Sequence, residues 1–459
     1  MIDRWQISTF NLIDIGLLPL LIFILYQLYK KWVLKDVVGN KLLTNIFIIA
    51  FFLKLTCTIF HSLINEFYYD KIADSIGYYT QILNLKFQFA NNPQASLLDF
   101  YFNRDKFSLY TGLDFDDFGS NPTANVSLLT LPLGFVFFNS YLCISFFLGF
   151  VALIACHKIY LVFSNVFPNC KIEASIATVI LPGLCFWSSI LLKDTYSLIG
   201  LGFGIWYFWK MFILKKINLY NIIGFLFSLA LMYYFKPYIL VVLFSFVLWF
   251  GFSTYKKIKS AGLKILSLMI FFTAFIIGIT LTLNKLSDLE TGPLAVYKAE
   301  NFASQMEGFK AAYADDSGET SAFSLGDIDF NNPLSILGAA PRALSAVYFQ
   351  PFIWEAKKPI MLLSALESCL IFYLFLFALF KTRVIGFFGI IFKDPFLLSF
   401  FIFCLFFGTI VAIAAPNFGT LARYKIPVMP FMVFMLLVVR RKIKDKELLI
   451  IQKKSLQLQ

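Results

Sequence analysis

Apolar positions in this chain neither alternate with the two-residue period of a strand nor keep to one stripe of a helix; they form unbroken runs. The first, Leu12 to Leu28, is long enough for a helix rising about 1.5 Å per residue to cross most of a ~30 Å hydrocarbon core. It exceeds a signal-peptide core, and no small-x-small cleavage site precedes Lys30 and Lys31, so a retained span is predicted. Comparable runs lie near 43–64, 139–162, 172–191, 195–213, 218–235, 237–254, 264–284, 359–380, 395–414 and 426–439. The pattern predicts an all-α polytopic integral membrane protein, with residues 1–459 as one membrane domain of about eleven transmembrane helices.

Two long polar stretches, 65–125 and 285–358, separate these runs. Residues 126–138 are apolar, too short to span and carry Pro132, which predicts an interfacial or re-entrant segment with the helix interrupted at the proline. Val384 to Phe392 is a second short run.

Charge then orients the chain. Hydrophobic residues make up 59%, aromatic residues 19% and charged residues only 14%, too few for a soluble surface. The net charge of +12 sits in clusters between apolar runs: Lys30, Lys31, Lys35 and Lys41; Lys256, Lys257, Lys259 and Lys264; Arg440, Arg441, Lys442, Lys444 and Lys446. This is positive-inside topology, not a nucleic-acid surface. The first long loop holds eight acidic residues against four basic and the second ten against six, so both are predicted outside. The N-terminus is then outside and the C-terminus in the cytoplasm. Seven cysteines without a C-x-x-C pair and only His61 and His157 leave little room for a disulfide framework, a zinc site or a histidine triad. No phosphate-binding Gly-rich motif and no Rossmann fingerprint occurs.

Ionisable residues inside or at the edge of a bilayer are costly, so they nominate the chemistry. In Asp70-Lys71-Ile72-Ala73-Asp74-Ser75-Ile76-Gly77-Tyr78, a helix places Asp70, Asp74 and Tyr78 one turn apart on one face. Lys193 and Asp194 follow Phe186-Trp187-Ser188-Ser189 at a turn too tight to be a solvated loop. Lys236 ends another run beside Pro237 and Tyr238, and Pro351-Phe352-Ile353-Trp354-Glu355 places aromatics and a carboxylate at the interface. Arg423, Tyr424 and Lys425 close the last outer loop, against the positive-inside bias, and a phosphate ligand would account for cations there. All of these fall at the outer face. Lys54 and Glu367 lie deeper, as a structural pair or as the polar centre of a transporter.

The acidic Asp74-Ser75-x-x-Tyr78 stretch early in the first outer loop, followed by a re-entrant segment and many spans, resembles the GT-C class of polytopic glycosyltransferases. The Phe186-to-Asp194, Pro351-to-Glu355 and Asn417-to-Tyr424 stretches are similar to those in membrane proteins of bacterial surface-polysaccharide clusters, and the general form also resembles O-antigen polymerases. The resemblance implies a cytoplasmic-membrane enzyme of cell-envelope polysaccharide biosynthesis using an undecaprenyl-(pyro)phosphate-linked sugar. It implies Asp74 as the catalytic base, and with the outer-face placement of the other residues nominates Asp70 and Glu355 as further catalytic carboxylates and Tyr78, Lys193, Asp194, Lys236, Trp354, Arg423, Tyr424 and Lys425 as substrate-binding residues. It differs from the usual pattern in that the acidic loop follows the second span, not the first. Its expected partners are the lipid-linked sugar, membrane lipids and polysaccharide-assembly proteins. No cofactor is expected: a divalent ion is compatible with the carboxylates, but no spacing demands one. Alternative readings are a repeat-unit polymerase and a lipid-linked-sugar flippase or other transporter.

Overall fold

The computed structural model describes residues 3–92, 121–260 and 323–457 apart from scattered positions, with isolated positions in between. All but the start of the expected span at 264–284, most of the second long loop, and Arg104, Asp105, Asp114, Asp116 and Asp117 lie outside the described residues. Among the described residues the chain is helical, with no β-strand. The helices are α1 (Asp14–Trp32), α2 (Lys41–Leu63), α3 (Asp74–Asn91), α4 (Asn121–Val136), α5 (Tyr141–Val166), α6 (Lys171–Val179), α7 (Pro182–Trp187) and α8 (Lys193–Phe208). They continue as α9 (Leu219–Phe235), α10 (Val242–Lys257), α11 (Pro333–Phe349), α12 (Pro359–Phe392), α13 (Pro395–Ala414), α14 (Phe418–Tyr424) and α15 (Met429–Gln457).

Six described segments are long and apolar enough to cross a membrane, or seven if α14 and the start of α15, bent by 76°, count as one. The chain is therefore a polytopic, multi-pass membrane protein. The expected run at 172–191 is broken into α6 and α7; that at 195–213 is helical throughout, as α8 and a π-helical turn that continues it to Ile213, and that at 218–235 forms α9. Val384 to Phe392 continues α12 beyond a break at Arg383, where φ is 56°.

One expectation is corrected. Pro132 does not interrupt the 126–138 segment, because α4 runs through it; a proline forfeits one backbone donor and can be carried where neighbours hold the helix. Here Ser127 Oγ donates to Gln81 Oε1 of α3 at 2.6 Å, and Thr130 Oγ1 lies 2.7 Å from Tyr196 Oη of α8. The first acidic loop carries an amphipathic helix. Its α3 buries Ile76, Tyr78, Tyr79, Ile82 and Leu85 at helical spacing and packs on α4.

The frame is α5, buried along most of its length and packed against α1, α2, α6 and α8. Contact with α8 is close enough that a Cβ at Gly202 would stand 2.5 Å from Ala155 O.

Residues 180–192 are the irregular part of this frame: α6 ends, α7 makes less than two turns, and the chain is non-helical until α8 begins. Backbone carbonyls released inside a membrane protein need internal donors. A polar stripe on α2, Lys54, Thr58 and His61, supplies them. Lys54 Nζ donates to Cys185 O at 3.0 Å, to Ser188 O at 3.3 Å and to Ser188 Oγ at 2.7 Å. Thr58 Oγ1 donates to Ser189 O at 2.8 Å, and His61 Nδ1 lies 3.2 Å from Phe186 O with its ring stacked on that phenyl group. At the opposite end of α7, Gly183 N donates to Glu367 Oε1 at 3.2 Å. Lys54 and Glu367 thus form no direct pair. They hold the carbonyl end and the amide end of one short helix, each matching the partial charge there.

Lys54→Met retains the bulk of the stem and removes the donor for two buried carbonyls. A loss of about 1.5–3 kcal/mol is expected, read as a lower apparent Tm of the detergent-purified protein; an unchanged Tm would show that α7 does not depend on this clamp.

Candidate functional site

At one end of the helices, four chain segments far apart in sequence bring their charges into direct contact. Asp74 stands at the N-terminus of α3, which is anchored through Ser75: Asn65 Nδ2 donates to Ser75 Oγ at 2.8 Å, and Tyr141 Oη to the same atom at 3.0 Å. Asp194 sits in the first turn of α8, where an acidic side chain suits the helix dipole. Lys236 follows the last residue of α9. Arg423 is in the last turn of α14, a helix started by Asn417, whose Oδ1 accepts from Gly419 N at 2.8 Å and Thr420 N at 3.4 Å.

Arg423 is the bridge. Its Nη1 donates to Asp74 Oδ2 at 3.0 Å and its Nη2 to Asp194 Oδ2 at 3.1 Å, while Lys236 Nζ donates to Asp194 Oδ1. The two carboxylates differ in environment: the Asp194 side chain is 2% exposed and that of Asp74 is 53% exposed. Asp194 is a buried counter-ion shared by two cations, and Asp74 is the accessible carboxylate. Burial pushes the Lys236 ammonium down to about 8, against the pull of Asp194. Arg423 Nε is buried with no hydrogen-bond partner, so the residue engages the cluster through its two Nη groups.

Aromatic rings line the charges. The Arg423 guanidinium lies 5.7 Å from the Trp187 ring centroid, Lys236 Nζ 4.1 Å from that of Tyr424, and Lys193 Nζ 5.9 Å from that of Tyr78. Trp187 and Tyr238, 5.8 Å from Lys236 Nζ, were not among the expected site residues. The signal for Trp187 is its place as the last residue of α7, immediately before the irregular stretch that delivers Lys193 and Asp194.

Other expected residues lie apart from this cluster. Asp70 is not a turn below Asp74 on one helix, since α3 begins at Asp74; Asp70 and Lys71 form a left-handed turn at φ 44° and 65°, which turns Asp70 out to an exposed position. Glu355 accepts from the backbone N–H of Phe352 at 2.7 Å, and Trp354 is 78% exposed with its ring stacked on Phe352. Both border a separate cavity of about 510 Å³ that Arg342, Gln350 and Phe418 also line. Lys425, although it follows Arg423 by two residues, is buried in the other direction and donates to Val347 O and Ser368 Oγ, both at 3.2 Å. Arg423 is in the last turn of α14 and Lys425 caps its end, so the two side chains leave the backbone in different directions.

Among the described residues no three His, Cys, Asp or Glu side chains converge as a metal site. No family model matches this chain, and neither a curated protein nor a solved structure matches it.

The asymmetry between the carboxylates has a measurable consequence. Asp194→Asn leaves Lys236 and Arg423 facing each other without a buried counter-charge, for an expected cost of about 3–5 kcal/mol. Asp74→Asn removes a half-exposed partner and should cost under about 1 kcal/mol. Comparing denaturant unfolding of the two variants in detergent checks this, and equal losses would reject the assignment of different roles.

Proposed function

We propose that this protein is a glycosyltransferase of cell-envelope polysaccharide assembly, GT-C-like in form, that takes its sugar from an undecaprenyl-(pyro)phosphate carrier at the outer face of the cytoplasmic membrane. The reading rests chiefly on one observation, the bridge from Arg423 to Asp74 and Asp194 with Lys236 on the same buried carboxylate. Arg423, Lys236 and Lys193 against Asp74 and Asp194 leave one positive charge in excess, beside aromatic surfaces, where a lipid phosphate and a sugar ring would both find partners. The topology used is that of the charge pattern, N-terminus outside and C-terminus in the cytoplasm, which puts the cluster outside and away from nucleotides.

In this reading the leaving phosphate is held by the guanidinium Nη groups of Arg423, with Lys236 and Lys193 nearby. A phosphate on Arg423 competes with Asp74 for the guanidinium and so releases the carboxylate as substrate binds. Asp74 then accepts the proton of the acceptor hydroxyl as that oxygen bonds to the anomeric carbon, the carbon–oxygen bond to phosphate breaks, and the electron pair leaves on the phosphate. Stabilising that charge is the larger contribution. Asp194 touches neither reactant in this scheme and positions the two cations.

A repeat-unit polymerase would use the same geometry and differ in the length of glycan moved. A flippase has less support. Lys54 and Glu367, the deep residues it would use, are occupied by the ends of α7.

Asp74→Asn is expected to reduce glycan transfer by about 10²–10⁴-fold, with lipid-linked sugar accumulating in membrane extracts and the protein inserted at normal levels. Undiminished surface glycan in that variant would remove Asp74 from the role of base. Arg423→Lys should also abolish transfer, because one ammonium cannot reproduce a fork that spans two carboxylates.

A further inference from the structure

The end of α5 remote from Asp74 carries a second charged feature that the proposed reaction does not use. Tyr141, near the start of α5, bonds Ser75 beside Asp74, whereas Lys158 lies seventeen residues further on, about 25 Å away along the helix axis. Around Lys158, the end of α1, the last turns of α5, the start of α6 and α8 enclose a cavity of about 580 Å³. Trp32, Lys35, Asp36, Lys158, Lys171 and Trp206 line it.

Its charge is unbalanced. Lys158 is half-buried, with Nζ 5.1 Å from the Trp206 ring centroid, and Lys210 Nζ approaches the same ring at 4.8 Å. Two ammonium groups on one indole repel each other unless an anion lies between or beside them. The one carboxylate in the lining, Asp36, has its Oδ2 3.3 Å from Nε2 of the buried His157 and also acts on Lys35 and Lys158, so a single negative charge faces the three lysines of the lining. Among the described residues Lys35, Lys158 and Lys171 form no ion pair. Lysines that served only to keep this end in the cytoplasm would gain nothing from a concave wall or from a half-desolvated position inside it. Two tryptophans at the rim, Trp32 44% exposed, mark headgroup depth.

We propose that this cavity binds the phosphate-bearing headgroup of an anionic membrane lipid from the leaflet opposite the Asp74–Arg423 cluster. Lys158 and Lys171 hold the phosphate, Lys35 adds charge at the mouth, and Trp32 and Trp206 rest on the glycerol and upper acyl chain. The site is independent of the glycosyl-transfer reading, since none of its residues belongs to the outer cluster.

The test uses the full-length protein purified in detergent and native mass spectrometry with dioctanoyl-phosphatidylglycerol, dioctanoyl-phosphatidylcholine and inorganic phosphate as probes. The phosphatidylglycerol adduct should exceed the phosphatidylcholine adduct. The double variant Lys158→Gln/Lys171→Gln should weaken phosphatidylglycerol binding at least tenfold, whereas Lys30→Gln/Lys31→Gln, which removes equal charge outside the cavity, should change it less than twofold. Lys171→Gln alone, at an exposed position, keeps the test valid if the double variant is poorly folded, and should weaken binding several-fold. Unaltered binding in the cavity variants, or equal loss in the control pair, overturns the proposal. Phosphate alone displacing the lipid at equal concentration would assign the cavity to a soluble phosphate compound and overturn the lipid source.

Discussion

The arrangement depends on how the backbone of residues 180–192 is satisfied inside a membrane protein. A continuous helix there would bond its own carbonyls and present no feature. Breaking it frees Cys185 O, Phe186 O, Ser188 O and Ser189 O, and the three polar residues of α2 meet all of them. That satisfaction lets the chain run extended into Leu192 and start α8 with Lys193 and Asp194 at its tip. The candidate site is therefore set by residues that never touch it.

A second constraint acts at the site itself. A carboxylate as enclosed as Asp194 is stable only with its charge compensated, and two cations on it leave one positive charge in surplus. The outward guanidinium edge of Arg423 passes that surplus to Asp74 at the surface. Desolvation thus sets both the sign of the cluster and which of its members can exchange partners.

Much of this was legible in the sequence, and the reasons are specific. Asp74, Lys193, Asp194, Lys236 and Arg423 could be grouped because charge sorting places each at a helix end on one side, and helix ends on one side of a bundle meet. Asp70, Glu355 and Lys425 satisfied the same criterion yet lie elsewhere, because sidedness says nothing about direction. A left-handed turn at Asp70, a local backbone contact at Glu355 and the end of α14 before Lys425 each depend on a few dihedral angles that no hydropathy pattern records. The interior roles of Lys54 and Glu367 were half legible: their cost marked them as important, but the short helix between them appears only once the run at 172–191 is seen to break. Pro132 misled because the rule for proline concerns a helix standing alone, and α4 has α3 and α8 to hold it.

The length of α9 has a further consequence. Seventeen residues give an axis of about 26 Å, several ångströms short of the ~30 Å hydrocarbon core. Its outer end lies against α4, where Asn125 Nδ2 donates to Tyr234 O at 3.2 Å. Along its length α9 turns the bare apolar side chains of Ile223, Leu226 and Phe227 outward. Hydrophobic mismatch on that flank draws the two leaflets together. A membrane thinned beside Lys236 brings lipid headgroups down toward the charged cluster that Arg423 bridges.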